Sequence, residues 1–248
     1  MFTMTEARRT KKEFIKECWF YLLLVLLVLA LGLKQASIQH KIAMRFGYYD
    51  YTALISAINP DFALIFQRGI YSSLTYLMTF TYILIYPGVL IFTILLLIHY
   101  REMLLFKRAA LMFSLNYLIA FPFFMLFNVS TTGATLLGVE PLIYEQFPRI
   151  CAAITTIDPL DNCFPSLHVA MVFSAFLIIC GTNYRRYKTF MYFAVPATIF
   201  AVLYLGIHWL IDILAGIMLA LFTYYLAKTF CKSSRKESFT KRTKLFFF

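Results

Sequence analysis

Two short segments of this chain hold the residue types that phosphoryl transfer needs. The first is Phe164-Pro165-Ser166-Leu167-His168, and the second is Gly206-Ile207-His208-Trp209-Leu210-Ile211-Asp212. His208 and Asp212 are spaced i, i+4, which places them on one face of a helix. A carboxylate there accepts from the imidazole and fixes its tautomer, so the other ring nitrogen is left to attack. Pro165 suits the first turn of a helix, where its missing N–H costs nothing. The open N–H groups of Ser166 to His168 then aim the positive end of the helix dipole outward, where phosphate binds. His168 on that turn is placed to protonate a leaving oxygen. A nucleophile, an orienting acid, a general acid and an anion cradle make a site that needs neither metal nor cofactor. Ser166 is either a phosphate contact or a helix cap.

These segments sit inside strongly apolar sequence. The chain has 248 residues, 61% hydrophobic and 14% charged. Soluble domains run at about 45–50% and about 25% respectively. One core of this size cannot hide the excess, so lipid must solvate part of it. The net charge of +11 would suggest nucleic acid in a soluble protein. Here the positive residues flank apolar runs and no binding module accompanies them, so nucleic acid is excluded as a partner. A histidine and an aspartate inside such a span are costly, and are functional candidates for that reason. His40 and His99 are read as ordinary interfacial residues.

About 20 apolar residues cross a bilayer. The expected fold is all-α, an integral membrane bundle of six spans. They run at about Trp19–Leu33, within Tyr71–His99 with a kink at Pro87-Gly88, Ala109–Val129, Phe164–Gly181, Thr189–Leu205 and Trp209–Phe230. The organisation is a basic N-terminus (1–18), one membrane catalytic domain (19–230) and a basic tail (231–248) read as disordered. Residues 38–70, broken at Asn59-Pro60-Asp61, read as one or two short interfacial helices. Arg101–Arg108 is a charged connection, and 130–163 a long loop. Most of the 23 lysines and arginines fall on the side holding both termini, so the positive-inside rule makes that side cytoplasmic. The fourth and sixth spans then run inward from the outer face. Both motifs land together at the non-cytoplasmic surface, although the topology was drawn without them.

With this order and spacing the chain resembles the type 2 phosphatidic acid phosphatase superfamily. Its motifs are Lys-x6-Arg-Pro, Pro-Ser-Gly-His and Ser-Arg-x5-His-x3-Asp. The second is matched by Pro165-Ser166-Leu167-His168 and the third by His208-x3-Asp212. The resemblance covers roughly residues 70–230 and implies a six-helix fold and a phosphohistidine mechanism without divalent metal. On that pattern His208 attacks phosphorus, Asp212 holds it, and His168 protonates the leaving group. Leu167 replaces the glycine, Ala201-Val202 replaces Ser-Arg, and no Lys-x6-Arg-Pro occurs. Phe147-Pro148-Arg149 is the nearest substitute for the first motif, which makes Arg149 the expected phosphate ligand. Phe before Pro-Ser-Leu-His, with prolines upstream, is similar to the inositol phosphorylceramide synthase branch.

The expected function is therefore a lipid phosphotransferase that moves a phosphoryl or phospho-headgroup to a lipid alcohol. A phosphatase acting on phosphatidate or polyprenyl diphosphate is the alternative within the class. A proton-coupled transporter using His208 and Asp212 is the alternative outside it, though transporter sites lie near the midplane. A dead scaffold would have lost a motif residue. The soluble vanadium haloperoxidases share the motifs but not the six apolar spans. Among the cysteines, no spacing matches a metal or redox motif. Cys151 and Cys163 share the outer loop and can pair there if it meets an oxidising compartment.

Overall fold

The computed structural model describes residues 11–58, 62–147, 155 and 159–232. The described residues are helical, with two isolated bridges, Asp50 to Asn128 and Val129 to Asn162. Helix α1 runs Lys11–Phe46. Two short helices follow, α2 (Thr52–Ser56) and α3 (Phe62–Phe66). Then come α4 (Ser72–Phe80), a π-turn (Thr81–Ile85) and α5 (Tyr86–His99), which continue one another. Helix α6 spans Met103–Leu126. The outer loop carries α7 (Thr132–Thr135) and α8 (Leu142–Gln146). Helices α9 (Leu167–Cys180), α10 (Arg185–Tyr204) and α11 (Leu210–Phe230) complete the bundle.

Five of these segments are long and apolar enough to cross a bilayer: Cys18–Phe46, Ser72–His99, Met103–Leu126, Arg185–Tyr204 and Leu210–Phe230. The expected fourth span, Phe164–Gly181, is represented by α9, which is apolar but only 14 residues long. At 1.5 Å per residue it covers about 21 Å, less than the roughly 30 Å hydrocarbon core. The shortfall arises at its start. Pro165 was expected in the first turn, yet Ser166 is the N-cap and Leu167 the first helical residue. The first span is longer than expected, because α1 continues through the 38–46 stretch that was read as interfacial. The 101–108 connection is shorter, since α6 begins at Met103 and takes Lys107 and Arg108 into its early turns. The break at 59–61, the residues before Lys11 and those after Lys232 lie outside the described residues.

Proline 87 interrupts the second span without ending it. Its ring removes an N–H and crowds the carbonyl one turn back, at Ile83. The wide turn at Thr81–Ile85 stands where that misfit falls. A π-turn inside an α-helix absorbs such an irregularity and recurs at functional sites.

Helix α9 is the centre of the bundle, packed against α5, α6, α10 and α11. Burial there is apolar, with Val169, Val172, Ala175 and Ile179 fully enclosed, while Phe20, Leu26, Phe193 and Met218 are exposed as lipid-facing residues would be. Polar side chains join the helices where lipid offers no partner. Asn116 of α6 donates to Ser174 Oγ of α9 at 2.8 Å, and Thr223 of α11 donates to Asn116 Oδ1 at 2.7 Å. Tyr117 donates to Gln35 at 2.6 Å, and Gln39 to Asn128 at 2.8 Å, which docks α1 on α6. At the end of the bundle where α9 and α11 finish, Lys188 Nζ donates to the Cys180 and Thr182 carbonyls, and Arg108 grips the Cys231 carbonyl through Nε and Nη2. Cations there complement the helix dipoles.

The fully buried Asn116 ties three helices, and hydrogen bonds between membrane helices contribute about 0.6 kcal/mol each on average. Asn116→Ala should therefore cost about 1–2 kcal/mol, read as a lower melting temperature in detergent with helical circular dichroism retained. An unchanged melting temperature would remove this hub from the stabilising interactions.

Candidate active site

The two motifs meet where α9 and α11 begin. His168 Nδ1 lies 3.3 Å from His208 Nε2. His208 Nδ1 lies 3.3 Å from Asp212 Oδ2. Asp212 is fully buried and His208 is 3% exposed, while His168 is half-buried. The three side chains form a line from the Asp212 carboxylate through the His208 imidazole to that of His168.

The contact between His208 and Asp212 is made differently from the expectation. His208 is not on the helix; it precedes Trp209, the N-cap of α11. Asp212 is the third residue of the helix, and its Oδ2 also accepts the Trp209 N–H at 2.9 Å. The same carboxylate thus caps the helix and faces the imidazole. His208 is delivered by a tight turn. The Val202 carbonyl accepts the N–H groups of Ile207 and His208 at 3.0 and 3.1 Å. Gly206 in that turn has φ +72°, and a Cβ there would meet the Glu140 carbonyl at 2.7 Å. The 130–163 loop and Gln67 buttress the turn. Gly133 N–H donates to the Gly206 carbonyl at 2.8 Å, Gln67 Nε2 donates to the Tyr204 and Glu140 carbonyls, and Trp209 Nε1 donates to the Ser130 carbonyl.

His168 is brought in by α9. The Ser166 N–H donates to the Asp212 carbonyl at 3.0 Å, which joins the two helix starts directly. A Cβ at Gly216 would stand 2.5 Å from the Ser166 carbonyl, so only glycine lets α11 come this near. The Ser166 hydroxyl is fully buried and caps α9, accepting from Val169 N–H at 3.4 Å. With Ser166 N–H committed to Asp212, the expected run of open N–H groups is shorter. Arg149 and Cys151 lie outside the described residues.

The hydrogen bonds fix a consistent proton arrangement. If ionised Asp212 accepts from His208 Nδ1–H, then His208 Nε2 carries a lone pair. His168 Nδ1–H must then be the donor across the 3.3 Å contact. In that arrangement the His208 Nε2 lone pair faces the His168 N–H. Asp212 Oδ1 is buried without a partner among the described residues. Cys163 Sγ donates to the Ile207 carbonyl at 3.3 Å, and ligand atoms of Cys163, His208 and Asp212 lie within 4.8 Å of one another. Zinc accepts such donors, but binding it there would occupy atoms that the histidine–aspartate pair uses.

Two contacts escaped the sequence reading. Tyr82 and Tyr86 pack on His168, with ring centroids 4.8 and 4.9 Å away. A signal was present: Thr79 and Tyr86-Pro87 have the spacing of Lys-x6-Arg-Pro, with neutral residues in both cationic positions. Thr79 Oγ1 is buried and unpartnered. At the position of the other missing arginine, Val202 is buried in an apolar cluster with Val169, Tyr82 and Tyr204. Leu167 packs on the cluster of Phe124, Ala170 and Leu219.

Gly216→Ala should push the helix starts apart. The overpacking costs about 1–3 kcal/mol, and a misplacement of about 1 Å lowers turnover by about 10²-fold. The pair of measurements is a melting curve and a lipid-phosphate turnover assay; full activity would show that the close approach does not set the site.

Comparison with known proteins agrees with the part of the chain that carries this geometry. Residues 137–236, which include His168, His208 and Asp212, match the family model described as the PAP2 superfamily. No curated protein and no solved structure gave a significant match. Over that stretch the chain is similar to the superfamily, in the segment that holds both histidines and the aspartate.

Proposed function

We propose that the protein transfers a phosphorylated headgroup from a membrane lipid to a lipid alcohol through a phosphohistidine. The observation that carries this reading is the alignment of Asp212, His208 and His168 at two successive 3.3 Å contacts. His208 Nε2 forms a bond to phosphorus as the bond from phosphorus to the departing alcohol oxygen breaks. His168, entering the step as the imidazolium, gives a proton to that oxygen and is left neutral. Asp212 stabilises the imidazole while Nε2 is bonded to phosphorus. The acceptor alcohol then returns a proton to His168, its oxygen attacks phosphorus, and the P–N bond breaks. The direct His168–His208 contact must open to admit the phosphate, and the two helix starts favour its negative charge. No cofactor enters this scheme, and we infer that no metal does. Arg149 is kept as a phosphate contact on its sequence position alone, and Ser166 as a residue whose helix turn faces the phosphate.

Transfer is favoured over hydrolysis by the apolar wall. Val202, Thr79 and Tyr86 stand where the motifs of the resembling phosphatases carry cations, and Asp212 pairs with His208. A phosphate monoester carries about −1.5 to −2 at neutral pH, and this wall offers it little compensation. A singly charged phosphodiester asks for less. We also infer six crossings, with α9 as the short one, both termini in the cytoplasm and the site on the opposite face. The distribution of lysine and arginine supports that orientation.

The test is purified protein given headgroup-labelled phosphatidylinositol, phosphatidate and polyprenyl diphosphate, with and without a lipid alcohol. Label should pass to the alcohol. His208→Ala should abolish transfer, and His168→Ala should slow it by about 10²–10⁴-fold. Release of inorganic phosphate would make the enzyme a phosphatase. Turnover that survives His208→Ala would contradict the phosphohistidine.

A further inference from the structure

We propose that Tyr82 and Tyr86 are positioning residues that hold the His168 imidazole in line with His208, so that its proton reaches the leaving oxygen. The proposal rests on the phosphohistidine reading and adds what keeps the acid aimed. His168 belongs to the first turn of α9, and among the described residues its ring takes no hydrogen bond from that helix. The polar contact of the ring there is His208 Nε2, and that contact must break when phosphate enters. Something else must then hold the ring. Tyr82 approaches at 4.8 Å with an interplanar angle of 35°, and Tyr86 at 4.9 Å with 53°. The His208 ring stands at 5.6 Å and 61°. Two tyrosine rings thus contact the imidazole in addition to His208, both at separations where aromatic pairs attract.

The backbone supports this reading independently. Tyr82 lies within the π-turn and Tyr86 directly after it, followed by Pro87. Both side chains therefore issue from the one irregular stretch of that span, and both reach the same imidazole. Tyr82 is itself anchored, 7% exposed in a cluster with Met78, Val169 and Val202. Val169 follows His168, and Val202 holds the His208 turn. The clamp is thus tied to both histidine-bearing elements.

The experiment separates aiming from folding through the leaving group. An acid matters greatly when an alkoxide departs and little when nitrophenolate departs, because the latter needs no proton. The two probes are long-chain phosphodiesters with an aliphatic alcohol or 4-nitrophenol as leaving group. Tyr82→Leu and Tyr86→Leu should each lose about 10–100-fold on the alkyl probe, part of the 10²–10⁴-fold of a general acid, and less than about 3-fold on the nitrophenyl probe. Tyr82→Phe and Tyr86→Phe keep the rings and should stay near wild type on both. His168→Ala supplies the benchmark, with the same discrimination at larger amplitude. Equal losses on both probes, or no loss in the leucine variants, would overturn the positioning role. Loss in the phenylalanine variants equal to that in the leucine variants would overturn it as well, by assigning the effect to the hydroxyls. If His208→Ala still turns over the nitrophenyl probe, it is the phosphohistidine reading that has failed, and the behaviour of the tyrosines is then a separate result.

Discussion

The closeness of two helix starts governs this molecule. Helix α11 approaches α9 until the Ser166 carbonyl fills the space over Gly216, and the Ser166 N–H closes on the Asp212 carbonyl. Each start carries a positive dipole end of about half a charge. Two such ends side by side repel, and they are held together here by packing and by that one hydrogen bond. An anion between them relieves the repulsion. The same approach sets His168 against His208. One steric constraint therefore brings together two helix starts and two histidines, beside Val202, Tyr86 and Thr79, which are neutral where the motifs of the resembling family carry cations.

The rest of the fold serves that junction. In a bilayer, backbone and polar groups must find partners inside the protein. Asn116 satisfies groups on α9 and α11 and fixes their spacing below the site. Above it, Gln67, Gly133 and Ser130 hold the turn that delivers His208. The 130–163 loop is thereby a structural clamp over the end that holds the two histidines. Its short helices, with α2 and α3, lie at the same end.

The site was readable in the sequence to the extent that chemistry and spacing coincide. His168, His208 and Asp212 announced themselves as ionisable groups in apolar surroundings, and charge counting placed their helix starts together. The i, i+4 rule gave the right contact for an incomplete reason: His208 sits before the helix, and the contact works because Asp212 also caps it. The tyrosine pair was hidden, since aromatic residues in a membrane span are ordinarily packing, and a π-turn leaves no periodic signature. The length of α1 was underestimated because the polar residues after Leu33 look like an interface, while Gln35 and Gln39 in fact find partners on Tyr117 and Asn128. The short α9 was missed because hydropathy continues through Phe164 and Pro165, whereas the helix begins only after its serine cap.

The central claim is a covalent phosphoryl-histidine on the path between two lipids. Each in-line displacement inverts phosphorus, so two in succession restore its configuration. A donor phosphodiester made chiral by replacing one non-bridging oxygen, followed to product by phosphorus NMR, reads this directly. Retention of configuration is the predicted result. Inversion would mean a single displacement from donor to acceptor, with His208 never bonded to phosphorus.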